Sequence, residues 1–208
     1  MAVAYVLMYV HLRLLKRLVS SMNIMIVGVG GQGTLLASRI LGNTVIKEGY
    51  DVKVSEVHGM SQRGGSVVTY VKFGEKVYSP IIDKGEADII LAFEMLEAYR
   101  ALPYLKKGGI IIANEQMINP MPVIIGAMEY PKNIKEKISN VANINSFDAV
   151  TLAKEAGNIK AVNVVLIGVM AKSTNIAYEK WVEVIKETVP AKLLDVNLKA
   201  FDLGYNLK

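Results

Sequence analysis

The chain has 208 residues, 52% of them hydrophobic, and it contains no cysteine. This length and composition are typical of one large domain with a substantial core, and the lack of thiols excludes disulfides and iron–sulfur ligation by this chain alone. The formal charge of +5 does not indicate a nucleic-acid partner, because lysines alternate with glutamates instead of forming a basic stripe. A reducing, cytoplasmic location is consistent with this composition.

The first 21 residues differ from the rest of the chain. Their apolar stretch, Ala2 to Val10, is much shorter than the roughly 20 residues of a membrane-spanning helix. The basic residues follow this stretch, whereas those of a secretory signal precede it. An amphipathic surface helix is one interpretation of this segment, but we favour a start of translation further along the chain and predict no membrane partner. We expect translation to begin at Met22, residues 1–21 to be a non-native extension, and residues 22–208 to form a single domain.

Strands and helices alternate from Asn23 onward. In chain order, "NIMIVGV" predicts a strand, "GTLLASRILGNTVIKEG" a helix, "YDVKVSEV" a strand, "SVVTYVKFGEKVYSP" a hairpin with Gly74 in its turn, "ADIILAF" a buried strand, "EMLEAYRALPYL" a helix, "KKGG" a turn and "IIIANE" a buried strand. This succession predicts an α/β fold with a mostly parallel, Rossmann-like open sheet and helices on both faces.

The remaining residues predict a largely helical C-terminal part. "NIKEKI" indicates a short helix, "VANINSF" a strand, and "DAVTLAKEAG" a helix that is capped by Asp148 and ended by Gly157. The almost wholly apolar "AVNVVLIGVMAKS" predicts a helix that is buried, either inside the domain or against a partner. Two further helices, "AYEKWVEVIKETV" and "AKLLDVNLKAFDLG", complete the chain.

A glycine-rich turn, "GVGGQG", links the first strand to the first helix. Its candidate binding residues are Gly28, Gly30, Gly31, Gln32 and Gly33, which satisfy the spacing G-x-G-x-x-G. Glycines allow the backbone to approach a ligand closely, and the N–H groups at a helix start attract a phosphate. We therefore predict an anion or nucleotide site, the alternative being a tight turn without a ligand.

A dinucleotide site also needs an acidic residue at the end of the second strand, about 20 residues further on. Glu56 lies close to that position. A free-standing NAD(P)-binding oxidoreductase thus remains an alternative. It is not favoured, because the loop after Glu56 is more elaborate than a ribose contact requires.

The loop "EVHGMSQRGGSV" leaves the second strand at the edge where ligands bind in open α/β sheets. Arg63 can hold a phosphate or carboxylate in a bidentate fork, and His58 is the candidate for acid–base catalysis. The other candidates in this loop are Ser61, Gln62, Gly64 and Gly65. Alternatively, His58 bonds a neighbouring carbonyl and Arg63 forms a surface ion pair. Asn114, which ends a buried strand, either reaches the same crevice or caps a helix or turn.

Four segments carry a family resemblance: "MNIMIVGVGGQGTLLASRIL", "EVHGMSQRGGSV", "ADIILAFEMLEAYRALPYLKKGGIIIANE" and "NLKAFDLG". They resemble the gamma-type domain of 2-oxoacid:ferredoxin oxidoreductases, and most of all its indolepyruvate-oxidising branch. The resemblance runs from Met22 to the carboxyl terminus. Asn163 also matches the family pattern, without a role that the sequence explains.

The resemblance implies an accessory subunit that is inactive alone. The complex would convert an aryl 2-oxoacid, coenzyme A and oxidised ferredoxin into an acyl-CoA, carbon dioxide and reduced ferredoxin. Thiamine diphosphate, Mg and the 4Fe–4S clusters would lie on a large alpha subunit. This chain would cover the thiamine site and help to bind coenzyme A, with main-chain N–H groups of residues 30–33 and Arg63 at a phosphate. The sequence leaves open a different 2-oxoacid (pyruvate, 2-oxoglutarate or a branched-chain acid) as the substrate, and a nucleotide-sensing scaffold as the function.

Overall fold

The computed structural model describes residues 21–58 and 64–207, and residues 1–20, 59–63 and 208 lie outside the described part. A six-stranded sheet with the order β2-β3-β1-β4-β5-β6 forms the centre of the described residues. The strands are β1 (Met22–Val29), β2 (Asp51–His58), β3 (Ser66–Gly74), β4 (Ala87–Ala92), β5 (Leu105–Asn114) and β6 (Asn143–Phe147).

The strand directions confirm the predicted mostly parallel sheet. The pairs β1–β4, β4–β5 and β5–β6 are parallel, whereas β3 is antiparallel to both β1 and β2. All strands except β3 therefore run in the same direction, and their carboxyl ends meet at one edge of the sheet.

Helices cover both faces of the sheet. Successive side chains of a strand point to opposite faces, so one strand can contribute to two hydrophobic cores. Ile24 and Ile26 of β1 belong to the larger hydrophobic core, while Met25 and Val27 belong to the other. Helices α1 (Thr34–Lys47), α5 (Ala149–Ala156), α6 (Val162–Ala171), α7 (Tyr178–Thr188) and α8 (Leu194–Tyr205) pack into the larger core. Helices α2 (Met95–Ala101) and α4 (Ile134–Ser139) pack into the smaller one, and the short helix α3 (Met121–Ile124) is exposed. The predicted Rossmann-like fold with a helical C-terminal part is thus confirmed.

The apolar helix α6 lies in the domain core, which decides between the two locations that its sequence allowed. All of its residues are buried, and α8 packs directly against it. The two helices approach closely at Gly168 and Gly204. A Cβ atom on Gly168 would lie 2.8 Å from the main-chain nitrogen of Tyr205, and one on Gly204 would overlap the carbonyl oxygen of Val165.

The predicted hairpin within residues 66–80 is wrong. Strand β3 ends at Gly74, and its hairpin partner is the preceding strand β2. Because β3 lies between β2 and β1, both of its edges are already paired. Residues 75–80 instead contact the amino end of β2, where the Val77 N–H group donates to Asp51 Oδ2 at 2.9 Å.

The predicted turn at residues 106–109 is also wrong, because these residues belong to β5. Ala87 of β4 pairs with Leu105, and Ile89 pairs with Ile110, so the intervening residues of β5 form a bulge. Gly108 has a φ of +84°, and a Cβ on Gly109 would lie 2.9 Å from the carbonyl oxygen of Asp88. The glycines therefore allow a bulge inside the strand, not a turn before it.

Within the described ranges, no helix has the length and hydrophobicity needed to cross a membrane.

Candidate functional site

The glycine-rich turn and the β2–β3 loop meet at the edge formed by the carboxyl ends of the parallel strands. The turn follows β1, and the loop returns to the described part of the chain at Gly64 and Gly65. The Gly30 N–H group donates to the Gly65 carbonyl oxygen at 2.9 Å. The antiparallel insertion of β3 causes this contact, because it places the start of β3 beside the end of β1.

Glycine is required in the turn for two different reasons. Gly31 and Gly33 have φ angles of +100° and +84°, which L-residues with a side chain rarely adopt. Gly28 is crowded instead, since a Cβ there would lie 2.9 Å from Gln32 Oε1 and 3.0 Å from Phe93 Cβ. The backbone of the turn therefore follows a path that larger residues would block.

The Gln32 side chain holds this turn in place. Its Oε1 atom accepts the Val29 N–H group at 2.7 Å. Its Nε2 atom donates to the Phe93 carbonyl oxygen and to Gln116 Oε1, both at 3.1 Å. Because the side chain connects the turn with the residues after β4 and after β5, the contribution of Gln32 is to shape the turn.

Main-chain donors at the start of α1 remain available for an anion. In the part of the chain that the structure describes, no side chain caps this helix, and its first turn contains no acidic residue. Among the described residues, the N–H groups of Gly31, Gly33 and Thr34 donate to no acceptor, whereas that of Gln32 donates to the Val29 carbonyl oxygen at 3.2 Å. The partial positive charge of a helix amino terminus adds to these donors. The arrangement suits a phosphate or carboxylate group.

Asn163, in α6, holds the glycine-rich turn by a hydrogen bond. This contact gives Asn163 a structural role, which the sequence alone did not explain. Asn163 is 3% exposed, and its Nδ2 atom donates to the Gly33 carbonyl oxygen at 3.2 Å. Its Oδ1 atom accepts the Val164 N–H group at 2.9 Å. A Cβ atom on Gly33 would lie 2.6 Å from Asn163 Nδ2. Gly33 and Asn163 are therefore fitted to each other.

Asn114 lies at the carboxyl end of β5, as predicted, but its side chain is fully buried. Its Nδ2 atom donates to the Phe93 carbonyl oxygen at 3.2 Å. Its Oδ1 atom accepts the N–H group of Ala149, the first residue of α5, at 3.1 Å. This is the helix-capping geometry that the sequence allowed in place of a ligand contact.

His58 ends β2 and has an exposed side chain, whose Nδ1 atom lies 3.6 Å from Glu56 Oε1. Strand β3 separates β2 from β1, so His58 and Glu56 are two strands away from the glycine-rich turn, a lateral distance of roughly 10 Å. This geometry does not favour a dinucleotide site, in which the acidic residue ends the neighbouring strand. Ser61, Gln62 and Arg63 lie outside the described residues, so their assigned roles stay predictions.

Two buried carboxylates at the same edge were missed in the sequence. Glu94 and Glu97 are 1% and 4% exposed. Glu94 Oε2 caps α2 by accepting the Glu97 N–H group at 2.9 Å. The Glu97 carboxylate accepts a hydrogen bond from Ser66 Oγ and one from Arg100 Nη1, both at 2.6 Å. The sequence does contain a signal for this cap. The spacing E-x-x-E directly after a buried strand is similar to a capping box.

Glu94 Oε1 has two further partners, the Ile118 N–H group at 3.0 Å and the Tyr130 hydroxyl at 2.5 Å. Burial, and then this hydrogen bond, raise the pKa of Tyr130 well above its ordinary value, so the hydroxyl remains a donor. The two glutamates thus connect α2 with the start of β3 and with the segment after β5.

The described ranges contain no group of three histidine, aspartate or glutamate side chains arranged to hold a metal ion. An open groove of about 600 Å³ lies at the opposite edge of the sheet, near the amino end of β5. Lys106, Lys107 and Val141 are among its lining residues. It contains none of the predicted site residues.

Comparison with known proteins gives consistent results. The family model described as pyruvate ferredoxin/flavodoxin oxidoreductase matches residues 23–207. The indolepyruvate oxidoreductase subunit IorB of Pyrococcus horikoshii is 49% identical over 188 residues, covering 88% of this chain and 93% of the relative. The subunit of the same name from Thermococcus kodakarensis is 47% identical over 190 residues, with the same coverages.

A solved structure shares the fold. The gamma subunit of a keto/oxoacid ferredoxin oxidoreductase from Geobacter sulfurreducens superposes with a TM-score of 0.66 at 24% sequence identity. The superposition covers 88% of this chain and 96% of that subunit. At this identity, the likeness concerns the fold alone.

Proposed function

Given that the chain belongs to the pyruvate ferredoxin/flavodoxin oxidoreductase family, we propose that it is the accessory, gamma-type subunit of an indolepyruvate:ferredoxin oxidoreductase. One observation carries this proposal: relatives named as indolepyruvate oxidoreductase subunits are 49% and 47% identical to the chain along nearly their whole length. The substrate class is therefore an aryl 2-oxoacid. The products are an acyl-CoA, carbon dioxide and reduced ferredoxin.

The chemistry of oxidation belongs to a larger partner subunit. Iron–sulfur clusters are held by cysteine thiolates, and this chain has none. We assign thiamine diphosphate, magnesium and the 4Fe–4S clusters to that alpha subunit. This chain covers the thiamine site from the carboxyl edge of its sheet, where the glycine-rich turn and the β2–β3 loop meet.

The donors at this edge fit a phosphate of coenzyme A. The N–H groups of Gly31, Gly33 and Thr34 have no acceptor among the described residues, and the helix they introduce lacks a side-chain cap. Coenzyme A supplies the thiol that receives the acyl group. The role of this chain is to hold and orient that cofactor and to exclude water from the shared site. Gln32 and Asn163 maintain the turn, and Arg63 adds a cation.

The proposal is tested by anaerobic co-expression with the large subunit of the same organism. We expect indolepyruvate- and coenzyme A-dependent reduction of ferredoxin by the complex, and no turnover by either subunit alone. Phenylpyruvate, pyruvate and 2-oxoglutarate serve as comparison substrates. A complex that prefers pyruvate or 2-oxoglutarate would refute the aryl substrate. A chain that forms no complex and binds NADPH would refute the subunit role.

The coenzyme A role has its own test in the assembled enzyme. We expect Arg63→Ala to raise the apparent KM for coenzyme A by roughly tenfold or more, since a hydrogen bond to a charged group contributes about 1.5–3 kcal/mol. The KM for indolepyruvate should change little. Arg39→Ala, which removes an exposed arginine of α1, is the matched control. An unchanged KM for coenzyme A in the Arg63 variant would refute the phosphate contact.

A further inference from the structure

The segment between β5 and α4 exposes an unusual amount of apolar surface. This segment comprises residues 117–128 and is named the 117–128 segment. Its five large exposed side chains, each 64–68% accessible, are Met117, Met121, Ile124, Ile125 and Met128. From Gln116 to Met128 the chain contains no charged residue. A partner for this surface must therefore present an apolar, uncharged face.

This exposed segment is anchored at both ends. The Ile118 N–H group at its start and the Tyr130 hydroxyl just beyond its end both donate to Oε1 of the buried Glu94. The Met95 N–H group also donates to the Gln116 carbonyl oxygen at 3.0 Å. A single buried carboxylate thus holds the segment in position.

The segment is also ordered internally. The N–H groups of Ile124 and Ile125 donate to the carbonyl oxygens of Pro120 and Met121 at 3.1 and 3.0 Å, and that of Met128 donates to Pro122 at 3.0 Å. These bonds form α3 and the turn after it. The apolar side chains are consequently presented on a defined backbone.

The area of the surface is large enough for a specific interface. With about two-thirds of each residue accessible, the five residues present on the order of 600 Å². This summed area is about three-quarters of the roughly 800 Å² that one partner buries in a standard interface. Methionine adapts to the shape of an opposing surface, which suits a contact between different chains.

We infer that the 117–128 segment is the surface on which the large, cofactor-carrying subunit docks, an inference that rests on the proposed function. The segment is continuous with the candidate site, because Gln116 Oε1 accepts a hydrogen bond from Gln32 of the glycine-rich turn. A partner on this surface therefore lies beside the turn, where the cofactor-carrying subunit has to be. A second copy of this chain would instead place another accessory subunit there.

The test compares charged variants of two exposed apolar sites. The variant Ile124→Glu/Met128→Glu alters the 117–128 segment. The control Val141→Glu alters a residue that is 71% exposed at the opposite edge of the sheet. The affinity of each purified chain for the large subunit is measured anaerobically. We expect the double variant to bind roughly thirtyfold more weakly or worse, as for a hot-spot substitution, and the control to bind like the wild type.

Hydrogen exchange of the wild-type complex is the second measurement, which needs no variant to fold. We expect slower amide exchange in the 117–128 segment when the large subunit is bound. Wild-type affinity of the folded double variant, or unchanged exchange, would refute the docking surface while leaving the subunit role intact. A wild-type dimer that the double variant disperses, without loss of affinity for the large subunit, would assign the surface to self-association. Failure of the wild-type chain to bind the large subunit would instead refute the proposed function.

Discussion

Replacing Gly33 by alanine should destabilise the chain more than the same change at Gly31, although both glycines have positive φ angles in the same turn. A Cβ atom on Gly31 would meet no atom of the described residues within 4 Å. A Cβ atom on Gly33 lies 2.6 Å from Asn163 Nδ2, which is buried and bonded to the Gly33 carbonyl oxygen. Gly31→Ala is therefore a matched control that contains the backbone strain without the overlap.

The loss of stability caused by backbone strain and the loss caused by overlap with Asn163 can be estimated separately. A left-handed backbone destabilises an L-residue by roughly 1–2 kcal/mol, which is our expectation for Gly31→Ala. In Gly33→Ala, Asn163 must also move, and an unsatisfied buried amide adds about 1–3 kcal/mol. We therefore expect Gly33→Ala to lower the free energy of unfolding by about 2–5 kcal/mol.

Urea denaturation of the wild type and the two variants measures these values, and the variants Asn163→Ala and Gly33→Ala/Asn163→Ala complete the double-mutant cycle. In the Asn163→Ala background, the effect of Gly33→Ala should fall to that of Gly31→Ala, because the overlapping atom is gone. Equal effects of Gly31→Ala and Gly33→Ala in the wild-type background would refute the idea that Asn163 is held rigidly against the turn.

Two further changes test the packing and capping of the C-terminal helices. Gly204→Ala should destabilise the chain by about 3 kcal/mol or more in thermal unfolding, because its Cβ overlaps the Val165 carbonyl oxygen and neither backbone can yield easily; a loss below about 1 kcal/mol would contradict the close approach. Asp148→Ala should cost about 1 kcal/mol at neutral pH, the usual effect of losing an N-cap. Hydrogen bonds from Thr151 hold the folded pKa of Asp148 below its ordinary value. The difference from wild type should therefore be complete above the unfolded pKa of about 3.9 and disappear as the pH falls through the folded pKa; a pH-independent difference would contradict this.

Local patterns in the sequence were sufficient for most helices and strands. Helix α5 shows why, because both of its ends are determined by adjacent residues. Asp148 accepts the Thr151 N–H group at 3.0 Å, and Gly157 ends the helix with a φ of +113°. The interior location of α6 depended on distant packing, so its apolar sequence could not distinguish a core from an interface.

Strand pairing was not accessible in the same way. The alternating pattern of residues 66–74 predicts a strand, but it does not state which neighbours that strand pairs with. Its insertion between β1 and β2 is decided by contacts across the sheet. The bulge at residues 106–109 is similar, because glycines suit both a turn and a bulge, and only the pairing on either side distinguishes them.

The candidate site was predictable as a location but not as a set of side-chain roles. Glycine spacing and the succession of strands and helices predicted residues at the carboxyl edge, whereas the side chains of Gln32 and Asn114 are occupied by internal hydrogen bonds. There is a physical reason why these polar side chains form internal hydrogen bonds. A turn that offers main-chain donors to a ligand needs other groups to fix its backbone, and polar side chains at the strand ends perform that task.

Glu94 and Glu97, at the start of α2, likewise fix the elements around the candidate site by hydrogen bonds. Glu97 holds the start of β3, immediately after the β2–β3 loop, through Ser66. Glu94 holds the 117–128 segment through Ile118, and it also accepts the Glu97 N–H group. The loop proposed to contact the cofactor and the surface proposed to dock the large subunit thus share one buried support. Because a buried carboxylate that loses its partners is strongly disfavoured, both elements are held firmly against the start of α2.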